Sequence, residues 1–267
     1  MSGLRSRRVL LGAAVLALGC LAVVHAQFSR RPGFFGEEYV PPPPDANEET
    51  EFYFTRLAYT GTYEGRWGPQ AWTIDSPKAE RQFIQGVRRL SNLHVRSMEK
   101  YLRATDPELF DYPWLYVVEP GHWVLSEPEA DALRQYLLRG GFLMTDDFHG
   151  SWEWDRFMRG VRMIFPDRPM VEIEDADEVF HVLFDLNDRF QVPGLQYLYS
   201  GSKSELDGFE AHWRGVYDDR GRLMMVANFN MDLGDAWEWA DLPQYPEPWT
   251  AMAYRLGLNQ IIYAMTH

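Results

Sequence analysis

Asp146, Asp147 and His149 fall in one short turn directly after the apolar run Phe142-Leu143-Met144-Thr145. Two carboxylates and an imidazole so close in sequence could do acid–base work, with or without a divalent cation. The competing reading is structural, an Asp capping the helix that begins near Trp152. Further on, Asn228, Asn230, Asp232, Asp235 and Glu238 gather amide and carboxylate oxygens in a single segment. That composition suits Ca²⁺ or Mg²⁺, with Asp232, Asp235 and Glu238 as candidate metal ligands and Asn228 and Asn230 as candidate ligand contacts. The segment lacks the Asp-x-Asp-x-Asp-Gly loop pattern, and a solvated acidic loop is the alternative. His122, between Gly121 and Trp123, could face the same crevice as His149, while His181 reads as a satisfied core imidazole. Trp152 and Trp237 each follow an acidic turn and are the indoles expected at a crevice, although most Trp side chains plug cores.

Other chemistries lack their residues. There is no His-Glu-x-x-His, no Gly-x-Ser-x-Gly elbow and no glycine-rich phosphate loop, so zinc peptidase, serine hydrolase and nucleotide readings have no motif. The single cysteine is Cys20. Lys and Arg total 26 against 39 Asp and Glu, for a net charge of −13, and such a surface repels phosphate backbones, so nucleic acid is not an expected partner. No cofactor is expected beyond a divalent cation. The partner is expected to be a small ligand or an envelope protein.

These residues need a scaffold, and the chain divides into three parts. Residues 1–26 carry Arg5, Arg7 and Arg8, no acid, and the apolar run from Val9 to Val24, which reads as an export signal cleaved before Gln27. Ser6-Arg7-Arg8-Val9-Leu10-Leu11 is similar to a twin-arginine signal, whose substrates cross the membrane folded. A periplasmic or envelope location without a lasting membrane span follows, with an uncleaved signal or a lipidated Cys20 as the alternative anchor. Residues 27–50, with Pro41-Pro42-Pro43-Pro44, read as a disordered tether. Residues 51–267 form one domain.

Within that domain the pattern predicts a strand at Phe52–Leu57, a helix over Pro77–Arg89 capped by Ser76, and a short strand at Leu93–Met98. A buried strand at Tyr112–Val118 comes next, then a helix opened by Ser126-Glu127-Pro128-Glu129 and closed by Gly140-Gly141. The Phe142 strand completes a strand, helix, strand unit with a right-handed crossover. A helix over Trp152–Ile164, a hairpin of Trp213–Tyr217 with Leu223–Asn228, and a last helix over Trp249–Tyr263 follow. The sum is an α/β three-layer sandwich with a largely parallel sheet and an added hairpin. Asp146, Asp147 and His149 then lie at the carboxyl end of a central parallel strand, where open α/β sheets place ligand crevices.

Short signatures follow one another in the order Phe54-Thr55-Arg56-Leu57, Tyr112-Pro113-Trp114-Leu115-Tyr116, Gly121-His122-Trp123, Gly140-Gly141-Phe142-Leu143, Phe165-Pro166-Asp167, Gln191-Val192-Pro193-Gly194, Asn228-Phe229-Asn230-Met231-Asp232 with Trp237-Glu238-Trp239, and Ala253-Tyr254-Arg255-Leu256-Gly257. In that order they resemble the bacterial domain of unknown function 4159 family. The resemblance implies a class I glutamine amidotransferase-like, flavodoxin-like fold. True amidotransferases carry a nucleophilic Cys on a tight strand-to-helix turn. This turn reads Asp146-Asp147-Phe148-His149-Gly150 instead, so glutaminase activity is expected to be absent. A non-catalytic ligand- or protein-binding domain is the leading expectation, and an envelope hydrolase using the Asp/Asp/His site, with or without a divalent cation, is the alternative.

Overall fold

A computed structural model describes residues 42–64 and 67–267. The export signal, Cys20 and the tether up to Pro41 lie outside the described residues. The sheet has seven strands: β1 (Thr55–Leu57), β2 (Lys100–Leu102), β3 (Trp114–Val118), β4 (Phe142–Asp146), β5 (Val171–Glu172), β6 (His212–Tyr217) and β7 (Leu223–Phe229). Their order is β2-β1-β3-β4-β7-β6-β5. The first five in that order run parallel, and β6 and β5 add an antiparallel edge.

Helices cover both faces: α1 (Lys78–Leu90), α2 (Glu127–Leu138), α3 (Gly150–Ile164), the short α4 (Tyr197–Ser200) and α5 (Leu233–Glu238), and α6 (Glu247–Thr266). Alternation along β3 explains the layers, since successive side chains point to opposite faces. Trp114, Tyr116 and Val118 meet Phe83, Trp237 and Leu256 from α1, α5 and α6 in one core. Leu115 and Val117 meet Leu133 and Phe157 from α2 and α3 in the other. A strand buried on both faces needs apolar residues at every position, as Trp114–Val118 supplies.

The predicted elements sharpen in places. The start of α2 carries the expected capping box, with the Ser126 N–H donating to Glu129 Oε2 at 2.8 Å. The expected Ser126-to-Gly141 helix and its two flanking strands are present, with β3 and β4 paired from Trp114↔Phe142 to Val118↔Asp146. Ser76 does not cap α1. Pro77 stands at the cap, and the Ser76 hydroxyl pairs with Tyr101 Oη at 2.7 Å. The strand expected at Leu93–Met98 is displaced to Lys100–Leu102, with only an isolated bridge between Val95 and Phe52. Its residues are engaged elsewhere: the Ser97 N–H donates to Asp45 Oδ2 at 2.9 Å, and the Arg96 side-chain Nη1 donates to Ala46 O at 2.9 Å. The same bonds, with an Arg88–Asp45 ion pair, tie residues from Pro43 onward to the domain, so the expected tether does not extend to Thr50. No helix among the described residues is long and apolar enough to cross a membrane.

Candidate metal centre

Three of the five parallel strands end by delivering an acid to the same rim. Glu119 follows β3 directly, Asp147 follows β4, and Asp232 follows β7 by a few residues. Asp75 sits on the turn before α1, held in place by Arg56, whose Nη1 donates to Ile74 O at 2.8 Å and Trp72 O at 3.0 Å. Together they open onto a cavity of about 390 Å³ whose lining also includes His122, His149, Glu153, Glu205, Asp235 and Glu238. Trp67, Trp152, Tyr199 and Trp239 contribute aromatic wall. No lysine or arginine is among the described residues that line it.

The backbone at this rim is unusual. Five non-glycine residues among those described have positive φ, namely Asp75 (62°), Glu119 (50°), Asp147 (55°), Leu206 (49°) and Asn230 (62°), and the first four line the cavity. Such conformations each cost on the order of 1–3 kcal/mol and persist where surrounding structure enforces them, commonly at functional sites. Gly121 allows another close approach, since a Cβ there would stand 2.6 Å from the Glu153 Cβ. The missing side chain lets the turn after β3 lie against α3 and sets His122 Nε2 3.3 Å from Glu153 Oε1. The other Glu153 oxygen accepts the His149 N–H at 2.5 Å. His149 Nε2 in turn lies 3.3 Å from Asp147 Oδ1 and 3.9 Å from Glu205 Oε1.

Burial and mutual repulsion dominate the electrostatics. Burial first, then the neighbouring Glu119, Asp75 and Glu205 charges, hold the Asp147 carboxyl well above the usual range. Glu119 is raised by burial and by Glu153, Asp75 by burial and by Asp235, and Asp232 by burial and by Asp147. Glu238 is pushed up to about 7 by burial and by Asp235. His149 moves the opposite way, down to about 4, because burial disfavours its charged form. It is therefore neutral at physiological pH, the state a metal ligand needs. His122 Nδ1, His149 Nδ1 and Asp75 Oδ2 are buried with no hydrogen-bond partner, each costing about 1–3 kcal/mol. Four sets of three donors bring their candidate ligand atoms within 4.8 Å of one another: Glu119–His122–Glu153, Asp147–His149–Glu205, Asp75–Asp235–Glu238 and Asp75–Asp147–Asp232.

Of the residues singled out in the sequence, Asp147, His149, His122, Trp152, Asp232, Asp235 and Glu238 converge on this cavity. Asp146 does not line it. Its Oδ2 accepts the Leu233 and Gly234 N–H groups at 2.8 and 2.9 Å and the Tyr116 hydroxyl at 3.2 Å, which pins the turn after β7 to the end of β4. Asn228 is fully buried within β7, donating to Thr145 O and accepting from Gln260. Asn230 accepts the Gly150 N–H at 2.9 Å and lines a different surface hollow with Ser151 and Phe209. Trp237 is a core residue between Phe54, Phe83 and Tyr116, because the short helix α5 turns it inward. The Asn228-to-Asp232 stretch is buried, so it is no solvated loop. His181 is partly exposed, its ring satisfied by Asp185 and the Asp175 carbonyl, and is not in the core.

Asp75, Glu119, Glu153 and Glu205 were not singled out in the sequence. Glu119 carried a usable signal, since it follows its strand as Asp147 follows the neighbouring one. Glu153 stands four residues after His149, one helical turn on. Glu205 lies in a long irregular segment with no pattern to mark it. No curated protein matches the chain significantly. The domain of unknown function DUF4159 matches residues 54–265, which cover every core residue but Phe52 and every acid at the rim, and the chain therefore belongs to the DUF4159 family.

Proposed function

We propose that the rim cavity binds divalent cations, and that the chain is an exported envelope domain that uses a cation held there to capture a ligand. One observation carries this reading: eight carboxylates and two buried imidazoles line a single cavity to which no described lysine or arginine contributes. Buried charge of one sign is costly unless it is protonated or paired, and a metal ion supplies the pairing. The parallel strands run β2-β1-β3-β4-β7, the order of flavodoxin-like sheets, whose ligands bind at the carboxyl ends of the strands. That order supports an amidotransferase-like ancestry for the scaffold, with Asp147 on the turn where such enzymes place a thiol. The leader sequence and the proline-rich stretch support export.

A second reading, metal-assisted hydrolysis of an amide or glycan, is favoured by Glu238. With a pKa of about 7 and a place in the cavity lining, Glu238 can carry and release a proton at neutral pH. His149 is the weaker candidate, since a group titrating near 4 is a poor base at neutral pH but a ready ligand. Calorimetric titration of the chelator-stripped chain with Mn²⁺, Zn²⁺, Mg²⁺ and Ca²⁺ tests the main reading. Saturable binding that is weakened in Asp147→Asn is expected, and no heat with any ion would overturn it.

A further inference from the structure

The donors around the cavity are not evenly mixed. Two of the four sets contain an imidazole, Glu119–His122–Glu153 and Asp147–His149–Glu205. They arise from different turns, one after β3 and one after β4, and they meet at Glu153. One oxygen of that carboxylate lies 3.3 Å from His122 Nε2, and the other accepts the His149 N–H at 2.5 Å. His122 and His149 are only 2% and 3% exposed, both line the cavity, and both keep an Nδ1 with no partner. An imidazole serving structure alone satisfies both nitrogens, as His181 does with Asp185 at 3.0 Å and the Asp175 carbonyl at 2.8 Å.

Resting on the reading of the cavity as a cation centre, we propose that these two sets are two separate positions for first-row transition ions such as Mn²⁺, Co²⁺ or Zn²⁺. Imidazole nitrogen selects such ions over Mg²⁺ and Ca²⁺, which take all-oxygen surroundings. The carboxylates beside the histidines supply the negative charge that each ion offsets. The oxygen-only sets, Asp75–Asp235–Glu238 and Asp75–Asp147–Asp232, are the rival positions.

The test uses the full chain, stripped with chelator and dialysed separately against Mn²⁺, Zn²⁺ and Ca²⁺, with bound metal counted by mass spectrometry. Two equivalents of Mn²⁺ or Zn²⁺ are expected, falling to one in His122→Ala, to one in His149→Ala and to none in the double variant. Pulsed electron paramagnetic resonance of the Mn²⁺-loaded unmodified chain should show ¹⁴N coupling, which keeps the test valid should a variant fail to fold. A single equivalent, two equivalents that survive both substitutions, or an absence of ¹⁴N coupling would overturn the two-position inference while leaving cation binding intact. No uptake of any ion would overturn both.

Discussion

The two ends of the central strands handle charge in opposite ways. At the amino end of β4 and β7, Arg139, Arg168, Arg220, Arg222 and His267 share a surface hollow with Asp177, Glu178, Asp218 and Asp219. Most of these groups have a partner: Arg168 meets Asp219 at 2.8 Å, Arg222 meets Asp218 at 3.4 Å, and His267 meets Glu178 at 3.2 Å. Asp218 and Asp219 are accordingly held below the usual carboxylate range, by hydrogen bonds and charge from Arg222 and Arg168 respectively. At the carboxyl end Asp75, Glu119, Asp147 and Asp232 crowd one another and are held above that range. A protein that wanted only stability would arrange both ends like the first. The contrast says that the second end is shaped for something that arrives with positive charge.

Within the second end itself, Arg56 and Glu80 form a fully buried ion pair behind the cavity. Breaking it sets the upper limit of the comparison. Glu80→Gln should cost about 3–5 kcal/mol, because it leaves a guanidinium buried without its counterion. Chemical denaturation measures this, and a loss under 1 kcal/mol would show that the pair is not what holds Asp75 in place. Next in size is Asp146→Ala, which orphans two buried N–H groups at roughly 1–3 kcal/mol each. Its neighbour Asp147→Asn should leave stability unchanged or higher and should weaken cation binding. Equal destabilisation by the two substitutions would erase the distinction between a buried structural carboxylate and one that lines the cavity.

A cation at one hundred times its dissociation constant should stabilise the native state by about 2.7 kcal/mol. In a domain of this size that is a rise in melting midpoint of roughly 5–10 °C. Differential scanning fluorimetry with and without chelator reads it. In the cation-free protein, acidification should have the same sign. A carboxyl whose folded pKa is raised contributes stability that is full below its unfolded pKa and is lost as pH rises through the folded value. For Asp146 and Glu238 that window runs from about 4 up to about 7, and Asp75, Glu119, Asp147 and Asp232 act in the same direction. His149 opposes them, because its depressed pKa of about 4 adds stability that is lost as pH falls from about 6.5 through about 4. One imidazole against six carboxyls leaves a net gain, so the chelated protein should melt higher at pH 5.5 than at pH 7.5. A midpoint that falls over that interval would refute the picture of uncompensated acids. The smallest effect belongs to the other end, where Asp219→Asn breaks an exposed pair and should leave the midpoint within measurement error.

How much of this could be read in advance varies from element to element. The run Trp114–Val118 and the Ser126-to-Gly141 helix declared themselves, because burial on both faces and a capping box are local signals. Lys100–Leu102 did not, since the choice between it and Leu93–Met98 was made by Asp45 and Ala46, about fifty residues away in sequence. The site was half legible for the same reason. Asp147 and His149 were marked by their place after an apolar strand, and Asp232, Asp235 and Glu238 by their density. Asn228 and Trp237 look equally exposed in the sequence, yet Gln260 takes up the first and the turn of α5 buries the second.

The sequence by itself determined the layered α/β class, the strands that must be buried, the excess of acid and the lack of a thiol beyond Cys20. Those properties depend on residue type and short-range periodicity. Only the tertiary structure decided that acids from four separate turns share one cavity, that Asp146 serves the fold while Asp147 faces the hollow, and that two histidines end up beside them. Convergence at a sheet rim is set by strand order and by backbone conformation at single residues such as Glu119 and Asp147, and no local pattern encodes either.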